Sequence, residues 1–355
     1  MVLVIPMIYY SIVIAKKIVG QKIARKVFLK IIERKKFFYI EKVFSKDVCS
    51  PVKRLVVMLP AKGCEWAKIS GGCTMCGFKK GLEEVRSSQY SGNDIVTLFK
   101  IALILSGNDI KEISIFIGGS FLNQKELDSE TQIKIFKIFA KTQAQRLSIE
   151  TRPEFVTKEK IESILKIISP KKLIVFIGLE AVTDSIREIN INKGFGLKQY
   201  ERAARILRET GAQLGTYVFL KPIGLDEGTA IEESIKTISY AFKTGSNEVA
   251  LETAFVQKGT IMANWFIEGK YRPPWLWSTI EVVKRTYSLG FVHIGNFTDE
   301  PKPIAVPSNC PNCTEKVLRA IQRYRENHSL AEFQSLTCPC QKEWEEEISK
   351  KRPDF

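Results

Sequence analysis

Histidine is scarce in this 355-residue chain, which has only His293 and His328, and no apolar run reaches the about 20 residues needed to cross a bilayer. Each histidine stands apart from other ligand-type residues, so a structural or surface role is expected for both. The longest apolar stretch, residues 1–15 (MVLVIPMIYYSIVIA), lacks the basic start and small-residue cleavage site of a secretory signal. No membrane span is expected, which leaves a short interfacial anchor or an upstream start codon as readings of that stretch. Low-complexity tracts and long repeats are also absent. An acidic excess is missing too: 54 Lys and Arg against 39 Asp and Glu give a net charge of +15. With 45% hydrophobic and 26% charged residues, the composition excludes a disordered chain and a disulfide miniprotein, and the length suits one or two domains.

The positive charge is concentrated. Residues 16–54 hold thirteen Lys and Arg against Glu33, Glu41 and Asp47, a local net of +10, and the rest of the chain is nearly balanced. An anionic partner such as nucleic acid would be attracted to such an arm, although a charge run can equally be a solvated helix face.

The eight cysteines are clustered. Cys64, Cys73 and Cys76 form one group, Cys310, Cys313, Cys338 and Cys340 another, and Cys49 stands alone. Two-residue spacings without a secretion signal point to metal binding in a reducing, cytoplasmic setting rather than to disulfides.

From Lys53 onward, short β-branched runs alternate with longer amphipathic segments, the pattern of βα units around a parallel sheet. Strands are expected at 53–59, 113–117, 146–150, 173–178, 214–220 and 248–254. Helices are expected at 92–106, 129–143, 157–168, 198–210 and 229–243, with a further one at 278–288. Six units fall short of a closed eight-stranded barrel, so the expected α/β fold is a partial (βα)6 barrel with chemistry at the C-terminal ends of its strands. A basic helical arm, 1–52, would precede the barrel, 53–300, and a small Cys-rich metal-binding tail, 301–355, would follow it. Tyr271, Trp275 and Trp277 could pack or could form a stacking platform for bases.

The loop after the first of these strands reads Cys64-Glu-Trp-Ala-Lys-Ile-Ser-Gly-Gly-Cys73-Thr-Met-Cys76, with no fourth ligand nearby. Three thiolates can hold a [4Fe–4S] cluster at three irons and leave the fourth open for a small molecule, whereas structural zinc prefers four protein ligands; an incomplete zinc site is the competing reading. The tail offers a full set of four thiolates, Cys310-Pro-Asn-Cys313 and Cys338-Pro-Cys340, around a helical stretch, 317–327. Structural zinc is the first reading there, with an auxiliary iron–sulfur cluster or unliganded thiols as alternatives.

The cysteine triplet resembles the fingerprint of radical S-adenosylmethionine (SAM) enzymes, with a first gap expanded as in the elongator catalytic subunit group. The resemblance implies a [4Fe–4S] cluster and SAM as cofactors, and it implies roles for several residues. Gly118 and Gly119 match the glycine pair that receives the methionine amino group, with Ser120 where an acidic residue is common. Glu150 and Arg152, in a Glu-Thr-Arg-Pro segment, would belong to the SAM cradle; an ion pair at the barrel rim is the alternative. Glu180 would accept from the ribose hydroxyls and Lys193 would pair with the SAM carboxylate, although Lys193 could equally be a solvated loop lysine. Phe78, which closes the cysteine run, joins the cofactor-binding set.

Residues 50–345 are further similar to the archaeosine-forming radical SAM family of archaea, RaSEA. That likeness implies a lyase that cleaves the C–N bond of a lysine-substituted 7-deazaguanine in tRNA by means of a 5′-deoxyadenosyl radical, leaving archaeosine. It also implies tRNA, the lysine-attaching transferase, and an electron donor such as a ferredoxin or flavodoxin as partners. Another radical SAM reaction on tRNA (elongator-like or methylthiolation) and a non-enzymatic tRNA-binding subunit with a structural cluster are the alternatives.

Overall fold

The computed structural model describes residues 37–77, 90–297 and 302–350. Phe78 and residues 1–36 of the basic arm lie outside the described residues.

Eight strands form one sheet in sequence order: β1 (Phe38–Ser45), β2 (Ser50–Met58), β3 (Ile110–Phe116), β4 (Arg146–Glu150), β5 (Lys172–Glu180), β6 (Gln213–Leu220), β7 (Glu248–Thr253) and β8 (Val292–Ile294). From β2 to β8 every neighbour pair is parallel; β1 joins β2 antiparallel, with Phe38 opposite Val57 and Ser45 opposite Ser50. The six expected strands are β2 to β7, each within about three residues of its anticipated ends, and the sheet curls into the expected partial barrel. Two edge strands were not anticipated. Residues 38–45 fall within the expected helical arm, but FYIEKVFS forms a strand and pairs with β2. The described part of 1–52 is thus a hairpin.

Eleven α-helices lie among the described residues: α1 (Glu65–Ser70), α2 (Gly92–Ser106), α3 (Ser129–Ala140), α4 (Lys158–Ile168), α5 (Leu197–Thr210), α6 (Glu227–Thr244), α7 (Ile261–Ile267), α8 (Leu276–Thr286), α9 (Thr314–Asn327), α10 (Ala331–Gln334) and α11 (Cys340–Ser349). Local chemistry sets their ends. Ser91 and Asp94 form a reciprocal capping box on α2; Asp128, Thr157 and Asp226 cap α3, α4 and α6; left-handed glycines, Gly211 and Gly245, stop α5 and α6.

The two faces of the sheet differ. The helix-covered face is apolar: Leu55, Val57, Ile113, Ile115, Leu147, Ile149, Val175 and Ile177 are all buried in one cluster with α2 to α5. The inner face carries polar side chains. At the N-terminal strand ends, buried Arg146 binds Glu248 (2.6 Å) and Glu112 (3.6 Å), and Ser45 Oγ donates to Glu112 (2.5 Å). Burial would raise the Glu248 carboxyl, but Arg146 outweighs it and holds the group far below the usual carboxylate range. This buried ionic cluster fills the inner face at the N-terminal strand ends.

Candidate active site at the C-terminal strand ends

The cysteine loop leaves β2 and is built around α1, which Cys64 precedes as the N-cap residue. Gly71 and Gly72, both at φ +84°, end the helix and turn the chain back towards Cys73, a conformation that side chains rarely adopt. Cys64, Cys73 and Cys76 offer three thiols on one loop, a donor set that suits three irons of a cluster with the fourth left open. Burial pushes the Cys64 and Cys73 thiols up, and Lys193 and Arg152 pull Cys73 back down.

Glu126 ties this loop to the end of β3. Its carboxylate accepts from the backbone N–H groups of Glu65 (3.0 Å) and Ser120 (2.5 Å) and from the Asn123 amide (3.0 Å). A Cβ on Gly119 would run into that carboxylate and come 3.1 Å from Cys64 Cα, so only glycine permits this approach. Ser120 is buried, and its hydroxyl accepts from the Arg152 backbone N–H (3.2 Å). The acidic group absent from position 120 therefore reaches the same turn from Glu126, six residues on.

A second latch holds the loop to residues 190–194, after β5. Thr74 donates to Asn190 O (2.7 Å) and Ile191 O (2.9 Å), Trp66 Nε1 donates to Asn192 O (2.8 Å), and the Asn192 amide donates to Gly72 O (2.8 Å). Arg152 completes it, donating to Lys193 O (2.7 Å), Gly194 O (3.1 Å) and Glu154 (2.6 Å) with its guanidinium 4.9 Å from the centre of the Trp66 ring. Gly194, at φ +67°, lies where a Cβ would collide with that ring.

Above Cys73, Lys193 Nζ lies 2.8 Å from Glu180 Oε1, both largely buried. Burial alone would lower the lysine, but Glu180 and Cys73 outweigh it and hold the ammonium above its ordinary value. Glu180 takes φ +66°, an unfavourable conformation for a non-glycine residue at a strand end, and a Cβ on Gly178 would strike both partners of the pair. Gly118, at φ +64°, has the same left-handed geometry. The structure thus brings Gly118, Gly119, Ser120, Glu180, Lys193 and the backbone face of Arg152 around the cysteine loop.

Glu150 and Glu252 lie at the ends of β4 and β7, and neither makes a side-chain hydrogen bond or ion pair among the described residues. Burial, against the pull of Lys193, pushes Glu150 up to about 8, and burial reinforced by Glu180 pushes Glu252 up to about 7. Tyr217 on β6, whose ring stands 4.9 Å from that of Phe176, completes this wall. Trp66 and Thr74, inside the cysteine run, and Glu126, Asn192, Tyr217 and Glu252 were given no role from the sequence, since their partners are far away along the chain. By contrast, Trp275, Trp277 and Tyr271 are buried: Trp275 donates to Glu347 (2.8 Å), Trp277 to Cys340 Sγ (3.4 Å) and Tyr271 to Lys221 O (2.8 Å). They pack, and no stacking platform is formed.

The tail quartet is separate and compact. Cys310 lies 3.7 Å from Cys313 and 3.5 Å from Cys338, Cys313 lies 3.6 Å from Cys340, and all four sulfurs fall within 4.8 Å. Four thiolates around one ion at a Zn–S distance of about 2.3 Å stand about 3.8 Å apart, so the set fits a single tetrahedral ion.

A three-thiol loop at the C-terminal mouth of an open βα sheet, beside a glycine-lined polar cradle, is the arrangement of a recognisable class. The radical SAM superfamily profile matches residues 58–250, and the chain belongs to that superfamily. Among curated relatives, the archaeosine synthase subunit beta of Methanosarcina acetivorans is 30% identical over 300 residues, covering 82% of this chain and 84% of the relative. Its counterpart of the same name from Thermococcus kodakarensis is 31% identical over 307 residues, covering 83% and 91%. Within the superfamily the chain is a member of the family of these beta subunits. Among solved structures, the archaeal Elp3 of Methanocaldococcus infernus aligns over 64% of this chain and 58% of its own, at 16% identity and a TM-score of 0.47.

Among the described residues no helix is long and apolar enough to cross a membrane.

Proposed function

We propose that this chain is the radical-generating subunit of an archaeosine-forming enzyme, a C–N lyase that acts on a lysine-substituted 7-deazaguanine in tRNA. The observation that supports this reading most is the double latch: the cysteine loop is pinned to the Gly118–Gly119 turn by Glu126 and to the Lys193 segment by Trp66, Thr74 and Asn192. The names of the curated relatives supply the product, archaeosine.

Cys64, Cys73 and Cys76 would hold a [4Fe–4S] cluster, and the donor chemistry fits, with three sulfurs spread over one loop. A cluster of this kind supplies reductive cleavage of SAM to a 5′-deoxyadenosyl radical. The residues of the chain position the reactants. The Gly118–Gly119 turn, next to Ser120, offers backbone to the methionine amino group. Lys193 presents a fixed cation to the SAM carboxylate, and Glu180 and Glu150 face the ribose and amino groups. Arg152 acts indirectly, by holding the Lys193 and Gly194 carbonyls in place. Phe78 belongs to the same proposed set. The aromatic pair Phe176 and Tyr217 would help to keep water from the place where a radical would form.

The four-thiolate chemistry of the tail is read as zinc. A cytoplasmic setting, tRNA as substrate carrier, the lysine-attaching transferase as partner and a ferredoxin or flavodoxin as electron donor complete the proposal; the grouping of the thiols supports the reducing compartment. Mass spectrometry of tRNA nucleosides from cells lacking the gene tests it. Accumulation of the lysine-substituted deazaguanosine with loss of archaeosine is expected, and an unchanged archaeosine level would overturn the reading.

A further inference from the structure

The partial barrel is open between its edge strands, β1 and β8, which do not pair with each other. Helix α9 packs against β1, β2 and β8 and so occupies the gap. Its buried stripe, Val317, Ala320, Ile321 and Tyr324, recurs at helical spacing and faces the sheet. Its polar side chains tie it to both edges. Tyr324 donates its hydroxyl to Val292 O on β8 (2.8 Å), while Arg325 binds Glu41 on β1 (2.8 Å) and also contacts Asn296. Glu41 accepts in turn from Arg54 on β2 (2.8 and 3.0 Å). Arg325, Glu41 and Arg54 act electrostatically on Glu252, so the helix helps to set the charge around the cavity.

What holds α9 in place starts at the cysteines. Cys313 is the N-cap residue of α9 and Cys340 the first residue of α11, and their sulfurs stand 3.6 Å apart. Cys340 is anchored to the barrel by Trp277 of α8, and α11 is anchored by Trp344, which donates to Ser278 (2.9 Å). None of the contacts that latch the catalytic cysteine loop involves the tail.

We infer that the tail quartet binds one tetrahedral zinc ion that acts as a clamp, fastening α9 across the open side of the barrel so that β1 and β8 are held as its two edges. A cubane would place each cysteine on a different iron, at the corners of a larger tetrahedron than these sulfurs span. A single ion instead joins the starts of two helices, and through Trp277 joins both to the wall of the barrel.

The test uses full-length protein with its iron–sulfur cluster reconstituted. Metal analysis and amide hydrogen exchange are compared for the protein itself, for Cys338→Ser and for Arg325→Ala. Cys338→Ser should lose zinc and keep its iron, and exchange at 38–45, 292–294 and 314–327 should speed up at least about tenfold while that at 172–180 stays unchanged. Arg325→Ala should keep zinc yet speed exchange at 38–45, which separates release of the edge from loss of the ion and stands alone if the serine variant does not fold. Iron rather than zinc in the tail would overturn the inference, as would zinc loss without faster exchange at those edges, or an Arg325→Ala protein whose β1 is as protected as before.

Discussion

The two cysteine groups differ in nearly every physical respect. The loop group has three sulfurs held by polar contacts to the ends of β3 and β5, near Glu150 and Glu252, which make no side-chain hydrogen bond or ion pair among the described residues. The tail group has four sulfurs within 4.8 Å, set in an apolar cluster with Val317, Ile321, Trp277 and Trp344. An incomplete donor set beside polar space leaves room for a reacting molecule, while a complete set in a hydrophobic surround closes the coordination and contributes folding energy. On the proposed assignments, donor count and surroundings would separate chemistry from architecture within one chain.

The largest contrast should come from single cysteine substitutions. Cys73→Ala should abolish SAM cleavage but shift the unfolding free energy of the cluster-free protein by less than about 1 kcal/mol, whereas Cys313→Ala should cost about 3 kcal/mol or more by losing a structural ion. Denaturant unfolding read beside 5′-deoxyadenosine formation checks both, and equal stability losses would break the comparison.

A smaller effect is expected at the latch. Glu126→Ala removes the acceptor of the Glu65 and Ser120 N–H groups and of the Asn123 amide, and with water refilling the vacated space the loss should come to about 1–3 kcal/mol in all. Cluster content, followed by visible absorption, should fall while the tail zinc is retained. Gly194→Ala comes next: its positive φ and the Trp66 ring predict a loss of about 1–3 kcal/mol and a raised KM for SAM, seen in saturation kinetics.

The last effect concerns Glu252 and appears as a slope with pH rather than as a loss at one pH. Its carboxyl rises from the usual 4.5 to about 7 in the folded protein. Between those values the unfolded chain has released the proton that the folded chain retains, so this group makes stability fall as pH rises from 4.5 to 7. Glu252→Gln should flatten that limb in a pH series of unfolding midpoints.

Much of the barrel was legible because its strands are continuous apolar runs bounded by capped helices, and β2 to β7 follow those runs. The edges were not. The pattern of β1 is diluted by Glu41 and Lys42 inside a strongly basic stretch, and β8 is only three residues long. The cysteines declared themselves by spacing, but the latch did not: Glu126 lies 61 residues from Glu65, and Asn192 lies 120 from Gly72, so only the fold brings them together. The same holds for Lys193 and Glu180, whose pairing depends on a left-handed residue at the end of β5.

The most direct test of the assigned chemistry is anaerobic incubation of the reconstituted protein, a reductant and SAM with tRNA bearing the lysine-substituted deazaguanine, followed by nucleoside mass spectrometry. Conversion of that base to archaeosine, together with 5′-deoxyadenosine and dependent on Cys73, is the predicted result. Formation of 5′-deoxyadenosine with the base left unchanged, or conversion that survives Cys73→Ala, would contradict the account.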